Sequence, residues 1–465
     1  MQPVPHSAVA FWSQLPNATV EGSVLRLASG TTFLGSNTLP DSMFIRADYV
    51  ALWAEIQRLT ASDLARIVIS GNPGIGKSWF GLFVAFKLLS GSQPPTIVWE
   101  SRRKQKRYLI RDGVVAQGTL GAFVSELGDT RTWYLVDEAV PPGAVEVEAC
   151  TLVFSSPKRE NYKETLKATA STIRYLPPWS WEEIDMCRTL LYPGDPVRTQ
   201  AAVQEAFSRW GGIPRYVLEK LGDESAQLEL QRSIVSTGNV DVILRSVGQI
   251  DTAPEASHRV LHIISGKPYI HVDIQFGSDY IQARVTELLL GRHRADLNRF
   301  VMRETDPLYA TIRGKCFEVL AHETLTGGGE FHTRPLTGAG GRAIRTLQRA
   351  TLQRFPGNKP ENLASLRVGP GAGQYCQPEA RNFPVLDALL LPGTLLQMTV
   401  AEQHAVDEAA LAKILDTLAL SSAELVFVVP PDKFDEFKAY KFKDTALGAR
   451  VTQLALRVSF DVVVK

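Results

Sequence analysis

Residues 66–78 read RIVISGNPGIGKS. The first five form a short apolar run of strand character. The rest satisfies the pattern GxxxxGK[ST], with a helix-like stretch, 77–89, after it. In that arrangement the glycines let backbone N–H groups wrap phosphate oxygens. The helix start adds the positive end of its dipole. Gly71, Asn72, Pro73, Gly74, Ile75 and Gly76 are the expected cradle. Lys77 is expected to reach the β- and γ-phosphates, and Ser78 to ligate Mg²⁺. The expected cofactors are therefore ATP and Mg²⁺.

A partner motif follows about sixty residues later. TWYLVDE (132–138) reads as a buried strand ending in two acids. Asp137 would hold the Mg²⁺ shell, and Glu138 would polarise the attacking water. On its own such a pair could simply cap the next helix; downstream of the lysine loop it reads as catalytic. Further strands are read at 96–101 and 151–156. Their alternation with helices indicates a parallel, helix-covered α/β sheet. A strand between the two motifs in sequence suggests the ATPase division with an extra central strand. Ser156, at the end of the 151–156 strand, is a candidate γ-phosphate sensor. RWGGIPRYVLEK (209–220) contains Arg215, a candidate charge stabiliser at a helical lid.

The bulk composition is ordinary. The chain has 465 residues, 45% hydrophobic and 21% charged, with net charge +1. At ~100–200 residues per domain it holds two to four. The expected division is an N-terminal segment (1–45), an ATPase domain (46–225), a mostly helical linker or lid (226–300) and a second α/β domain (301–465). Nucleic-acid binding would need local basic patches, since there is no global basic field. No apolar run reaches the ~18 residues needed to cross a bilayer, so no membrane partner is expected. The first sixteen residues do not read as a secretory signal. Cys150, Cys187, Cys316 and Cys376 lie far apart, which suits a reducing compartment such as cytosol or nucleus.

The last domain resembles metal-dependent nucleases of the restriction-endonuclease type. Those use a helix with Glu, then a hairpin carrying Asp and (Glu/Gln)-x-Lys. Glu318, Asp387 and Gln397 match, with Asp387 the expected metal ligand; Thr399 stands at the lysine position. His404 could replace the lysine as a base or ligand, and Lys413 on the next helix is a migrated-lysine candidate. Arg334, Arg342, Arg345 and Arg349 lie in a stretch without acids. The last three, spaced i, i+3, i+7, would share one helix face and track a DNA backbone. RRKQKR (102–107) is a second basic run, of nuclear-localisation character.

With these pieces placed, the chain resembles the Crinkler effectors and the related retrotransposon-hot-spot proteins of trypanosomes. The resemblance rests on RIVISGNPGIGKSWFG, WYLVDE, TLVFSSPKRENYKE, YLPPWSWEEI and GGIPRYVLEK, and on FPVLDALLL…LLQMTVAEQHAV followed by AELVFVVPPDKFDEF. It implies a P-loop ATPase with a helical lid followed by a restriction-endonuclease-like α/β domain. It also implies an effector acting in the host nucleus after secretion and provoking cell death, with double-stranded DNA and host nuclear proteins as partners. Nothing before residue 40 resembles the ubiquitin-like header with its Leu-Phe-Leu-Ala-Lys motif. Two readings follow: ATP gating a DNA-cleaving domain, or a non-catalytic ATPase switch whose second domain binds chromatin or a host protein. A small-molecule kinase fits poorly, because no acceptor-binding lid motif is seen.

Overall fold

A computed structural model describes residues 3–62, 64–101, 106–137, 147–237, 242–243, 257–270, 273–337, 340–366, 374–380 and 383–460. The chain divides into two compact units, Met1–Val285 and Thr286–Lys465. Both mix helices with sheets. No helix among the described residues is long and apolar enough to cross a membrane.

The first unit begins with a helix, His6–Gln14, and a three-stranded antiparallel sheet, β1 (Thr19–Glu21), β2 (Val24–Arg26) and β3 (Ser42–Phe44). The central sheet has seven strands. They are β4 (Arg66–Ser70), β5 (Ile97–Ser101), β6 (Lys106–Arg111), β7 (Val114–Gln117), β8 (Trp133–Asp137), β9 (Cys150–Phe154) and β10 (Ser171–Tyr175). Their order is β10-β4-β9-β8-β5-β6-β7. The first five pair in parallel; β6 and β7 add an antiparallel edge that the apolar pattern did not signal. Ile67, Val68 and Ile69 are completely buried, as a strand covered on both faces requires. Each such side chain is worth about 1.5–3 kcal/mol over the exposed state.

Helix Ala47–Thr60 buries Tyr49, Leu52, Trp53, Ile56 and Leu59, one stripe at helical spacing. Helix Lys77–Leu89 is buried on most sides, so it lacks a clean amphipathic stripe. Helix Trp181–Leu191 starts with a capping box: Ser180 and Glu183 satisfy each other's backbone N–H groups. Helix Gln200–Trp210 ends at Gly211, and a π-helical turn follows at Arg215–Glu219. The 226–300 stretch, read as mostly helical, also carries an antiparallel pair, β11 (Leu261–Ile264) and β12 (Asp273–Phe276).

The second unit is built on an eight-stranded mixed sheet. Its strands are β13 (Gly329–Pro335), β14 (Ala343–Leu347), β15 (Thr351–Phe355), β16 (Gln374–Pro378), β17 (Ala388–Leu390), β18 (Thr394–Met398), β19 (Ala423–Val429) and β20 (Val451–Arg457). The order is β14-β13-β20-β19-β18-β17-β16-β15. β17 and β18 form the expected antiparallel hairpin, and β18, β19 and β20 run parallel. Helix Glu408–Thr417 places Leu411, Ile414 and Leu415 in a core with Leu395, Leu425 and Phe427.

Candidate functional site

The register places the two nucleotide motifs at one end of the first sheet. β9 lies between β4 and β8, and its Phe154 is level with both Ile69 and Asp137. The loop that leaves β4 and the acid that ends β8 therefore share the C-terminal end of the parallel strands. Gly71, Gly74 and Gly76 have φ of 140°, 86° and 100°, backbone that favours glycine. Close approach adds a second reason. A Cβ on Gly76 would lie 2.4 Å from the Tyr49 hydroxyl, and one on Gly74 would lie 2.8 Å from Arg215 Cβ.

The loop is held from several sides. Tyr49 donates to the Gly76 carbonyl (2.7 Å) and Trp179 Nε1 to the Ile75 carbonyl (2.8 Å). Lys77 Nζ donates to the carbonyls of Gly71 (2.8 Å) and Asn72 (2.7 Å), which lays the ammonium across the loop. Asn72 is completely buried. Its Nδ2 donates to the carbonyls of His258 and Leu261, and its Oδ1 accepts from Ile263 N–H. The Asn72 side chain thus ties the loop to the 258–263 segment, while its backbone N–H belongs to the expected cradle. Burial, then the charges of Lys77 and Lys158, push the His258 imidazole down to about 4.

Ser78 is half-buried and Asp137 is buried. Arg215 packs on Gly74, its N–H 3.4 Å from the Gly74 carbonyl. Ser156 lies two residues beyond β9, where its Oγ accepts from Asn161 Nδ2 (3.2 Å). The neighbouring Ser155 and Ser70 hydroxyls are buried and have no hydrogen-bond partner among the described residues. Glu138 and residues 102–105 of the basic run lie outside the described residues. From the end of that run, Arg107 pairs with Glu100 at 2.7 Å.

Arg46, unflagged in the sequence, clamps the segment beside the loop. It is completely buried. Its guanidinium reaches both Glu183 oxygens at 2.9 Å, Asp48 at 3.1 Å, and the carbonyls of Pro177 and Pro178 at 3.0 and 3.3 Å. This accounts for Leu-Pro-Pro-Trp-Ser at 176–180: proline leaves its carbonyl free to accept and contributes no competing N–H.

Ser78 and Asp137 offer hard oxygen donors, and glycine backbone lines the loop between them. This set fits a Mg²⁺-nucleotide. Among the described residues no group of three or more His, Cys, Asp or Glu is placed to hold a metal. Magnesium needs only one or two carboxylates when phosphates and waters complete its shell.

In the second unit, helix Ala310–Gly327 presents Lys315, Glu318 and His322 on one face. Asp387 sits immediately before β17. Its Oδ2 accepts from Met398 N–H at 2.6 Å. Burial and then the charge of Glu318 push its carboxyl up to about 7, against the pull of Met398 N–H and Lys315. Lys315 Nζ lies 3.2 Å from Glu318 Oε2. Tyr375 on β16 shares a 2.6 Å hydrogen bond with His322 Nδ1. Its phenol is raised by burial and then by Asp387 and Glu318. Burial, then Arg354, push His322 down to about 4. The structure thus brings Glu318 and Asp387 together, and adds Lys315, His322 and Tyr375. The sequence signal for the additions was available: Lys315 and His322 are spaced i−3 and i+4 from Glu318.

The other expected members are placed differently. Gln397 is buried, and strand alternation sets it on the face of Leu395, in the core with Leu411 and Phe427. Its Oε1 has no hydrogen-bond partner among the described residues. The Thr399 hydroxyl accepts from Ala401 N–H at 3.1 Å. His404 Nδ1 pairs with the Ala405 carbonyl, and its ring lies 6.4 Å from that of Phe427. Lys413 pairs with Glu361.

The expected basic helix face is corrected. Residues 343–347 are strand β14, so side chains three apart point to opposite faces rather than sharing one. Arg345 pairs with Glu424 at 2.7 Å, and Arg342 with Asp435 at 2.7 Å. Arg334 donates to the carbonyls of Phe434, Asp435 and Phe437. Arg349 is exposed beyond the strand.

No family model matches the chain. Two curated proteins of Phytophthora infestans align with most of it. Crinkler effector protein 15 is 26% identical over 388 residues, 80% of this chain and 60% of that protein. The chain is a homologue of Crinkler effectors. Crinkler effector protein 16 is 25% identical over 390 residues, with 80% and 59% covered. The chain spans about three fifths of the length of these Crinkler relatives.

Proposed function

We propose that this Crinkler homologue is an effector with an ATP-hydrolysing P-loop unit and a DNA-acting C-terminal unit. ATP binding and hydrolysis at residues 71–78 control Mg²⁺-dependent cleavage of DNA in a host nucleus, and cell death follows. The observation that carries the reading is the parallel order β10-β4-β9-β8-β5, which sets the 71–78 loop and Asp137 at the same C-terminal end of the strands. The loop N–H groups and Lys77 bind the phosphates, Ser78 and Asp137 hold the metal, and Arg215 adds charge where the phosphoryl group moves. Glu138 orients the water. Bound Mg²⁺ supplies Lewis-acid stabilisation of the phosphate charge. In the second unit Glu318 and Asp387 would hold the metal, which would stabilise charge on the phosphodiester. The restriction-endonuclease-like description of that unit belongs to the same proposal.

A second reading has two observations in its favour. Arg345 and Arg342 are spent on Glu424 and Asp435, and Thr399 stands at the lysine position. On that reading the C-terminal unit binds chromatin or a host protein without cutting. Plasmid cleavage with Mg²⁺, with and without ATP, beside Lys77→Ala and Asp387→Ala, separates the two. Nicking lost in both variants supports the gated nuclease. ATP hydrolysis that depends on Lys77, with no nicking by any form, supports the switch.

A further inference from the structure

We infer that Lys315 is the catalytic cation of the Glu318–Asp387 site and takes the phosphodiester oxygen that no lysine on β18 can reach. The inference rests on the nuclease reading above.

Two carboxylates that face a phosphodiester bring three negative charges together. A metal ion offsets part of this, and a fixed cation lowers the remaining cost as charge builds on phosphorus oxygens. The lysine expected two residues after Gln397 is Thr399, whose hydroxyl already caps a turn. Three basic residues singled out in the sequence are committed elsewhere in this unit, and Arg354, whose charge reaches His322, lies exposed on β15. Arg334 is held by three carbonyls, Arg345 by Glu424 and Thr394, and Lys413 by Glu361. Lys315 is placed differently. It stands one helical turn before Glu318, its ammonium 3.2 Å from that carboxylate, and its side chain is 38% exposed. An ammonium has three N–H donors, and Glu318 occupies one of them. The stem is anchored on a helix, so the charge is carried on a rigid element while its tip reaches the surface. Its field already acts on Asp387.

The reaction it serves consumes one water. The water oxygen bonds to phosphorus, and one P–O ester bond breaks with its electron pair on the leaving sugar oxygen. The proton released by the water passes through solvent to that oxygen. Lys315 transfers no proton; it holds charge against the non-bridging oxygen.

The test uses the full chain with Mg²⁺, ATP and supercoiled plasmid. Lys315→Ala and Lys315→Gln should cleave about 100-fold or more slowly, in line with the loss of one fixed charge donor. Lys315→Arg should retain more activity than either, and Lys413→Ala should match wild type. Mn²⁺ binding, read by electron paramagnetic resonance without DNA, should be unchanged or tighter in Lys315→Ala, because a cation has left the carboxylates. Asp387→Ala should lose both binding at this site and cleavage. Lys315→Ala and Lys315→Gln cleaving within threefold of wild type, with Asp387→Ala inactive, would overturn the role of Lys315 and leave the nuclease reading standing. No cleavage by wild type overturns both. Loss of Mn²⁺ binding in Lys315→Gln would make Lys315 a structural support and also overturn the inference.

Discussion

The 71–78 loop and the Lys315–Asp387 cluster, the two proposed phosphate sites, are built in different ways. The loop works with backbone. Its residues are consecutive, three of its glycines hold positive φ, and most side chains around it serve to hold it still. The cluster works with side chains. Its members come from one helix, from β16 and from the turn before β17. A backbone site is sensitive to added atoms, because a single Cβ collides with a neighbour. A side-chain site is sensitive to charge, because neighbouring groups set each other's protonation. The two should therefore fail under different substitutions.

The largest separation is expected from Lys77→Ala. ATP hydrolysis should fall about 100- to 1,000-fold, as for other losses of a fixed charge at a transition state, with little change in thermal stability. If hydrolysis persists, the loop is not the hydrolytic centre.

Arg46→Met comes next. It leaves Glu183 and Asp48 without their buried partner and two proline carbonyls without a donor. Urea unfolding should show a loss of about 3–5 kcal/mol. A loss below 1 kcal/mol would mean that the 176–180 segment does not need the clamp.

Gly76→Ala should disturb the loop with less effect on the fold. Its φ of 100° and the nearby Tyr49 hydroxyl oppose a Cβ. A strained position of this kind costs of order 1–3 kcal/mol. Titration with a fluorescent ATP analogue should show at least tenfold weaker binding. The Gly76→Ala, Tyr49→Phe double variant should recover part of it.

Asp387 offers the corresponding charge test. Its folded carboxyl titrates near 7, above the ordinary carboxylate range, beside Glu318, Lys315 and Tyr375. The folded state therefore holds the proton more tightly than the unfolded chain. That contribution is fully present below the ordinary carboxylate range and is lost as pH rises through 7. In EDTA, wild-type melting temperature should drop more than that of Asp387→Asn between pH 5 and 8.5. Parallel curves would show that burial does not perturb this carboxyl.

The smallest effect is expected from Arg345→Ala. With its guanidinium already on Glu424, the salt dependence of DNA binding should be close to unchanged. A clear drop in the salt slope would restore Arg345 as a phosphate contact.

Much of the first unit was legible because its signals are local. The run Ile67–Ile69, the loop glycines and the helix starting at Lys77 lie within a few residues of one another. The edge strands β6 and β7 were missed because they follow a basic run and lack a long apolar signature. The basic face at 342–349 was misread because a spacing of three and four residues has meaning only on a helix, and hairpin pairing with β13 makes this segment a strand.

By itself the sequence determined where the glycine loop lies and that a parallel sheet carries it. Those features depend on backbone conformation and hydrophobic period, which neighbouring residues decide. Only the tertiary structure decided that Asn72 is a tie to β11, that Arg46 clamps the proline segment, and that Lys315, His322 and Tyr375 join Glu318 and Asp387. Asn72 and β11, Arg46 and the proline segment, and the 310–327 helix and both Tyr375 and Asp387 are separated by tens of residues or more. Their meeting depends on strand register and helix packing, which side-chain burial across the whole unit decides.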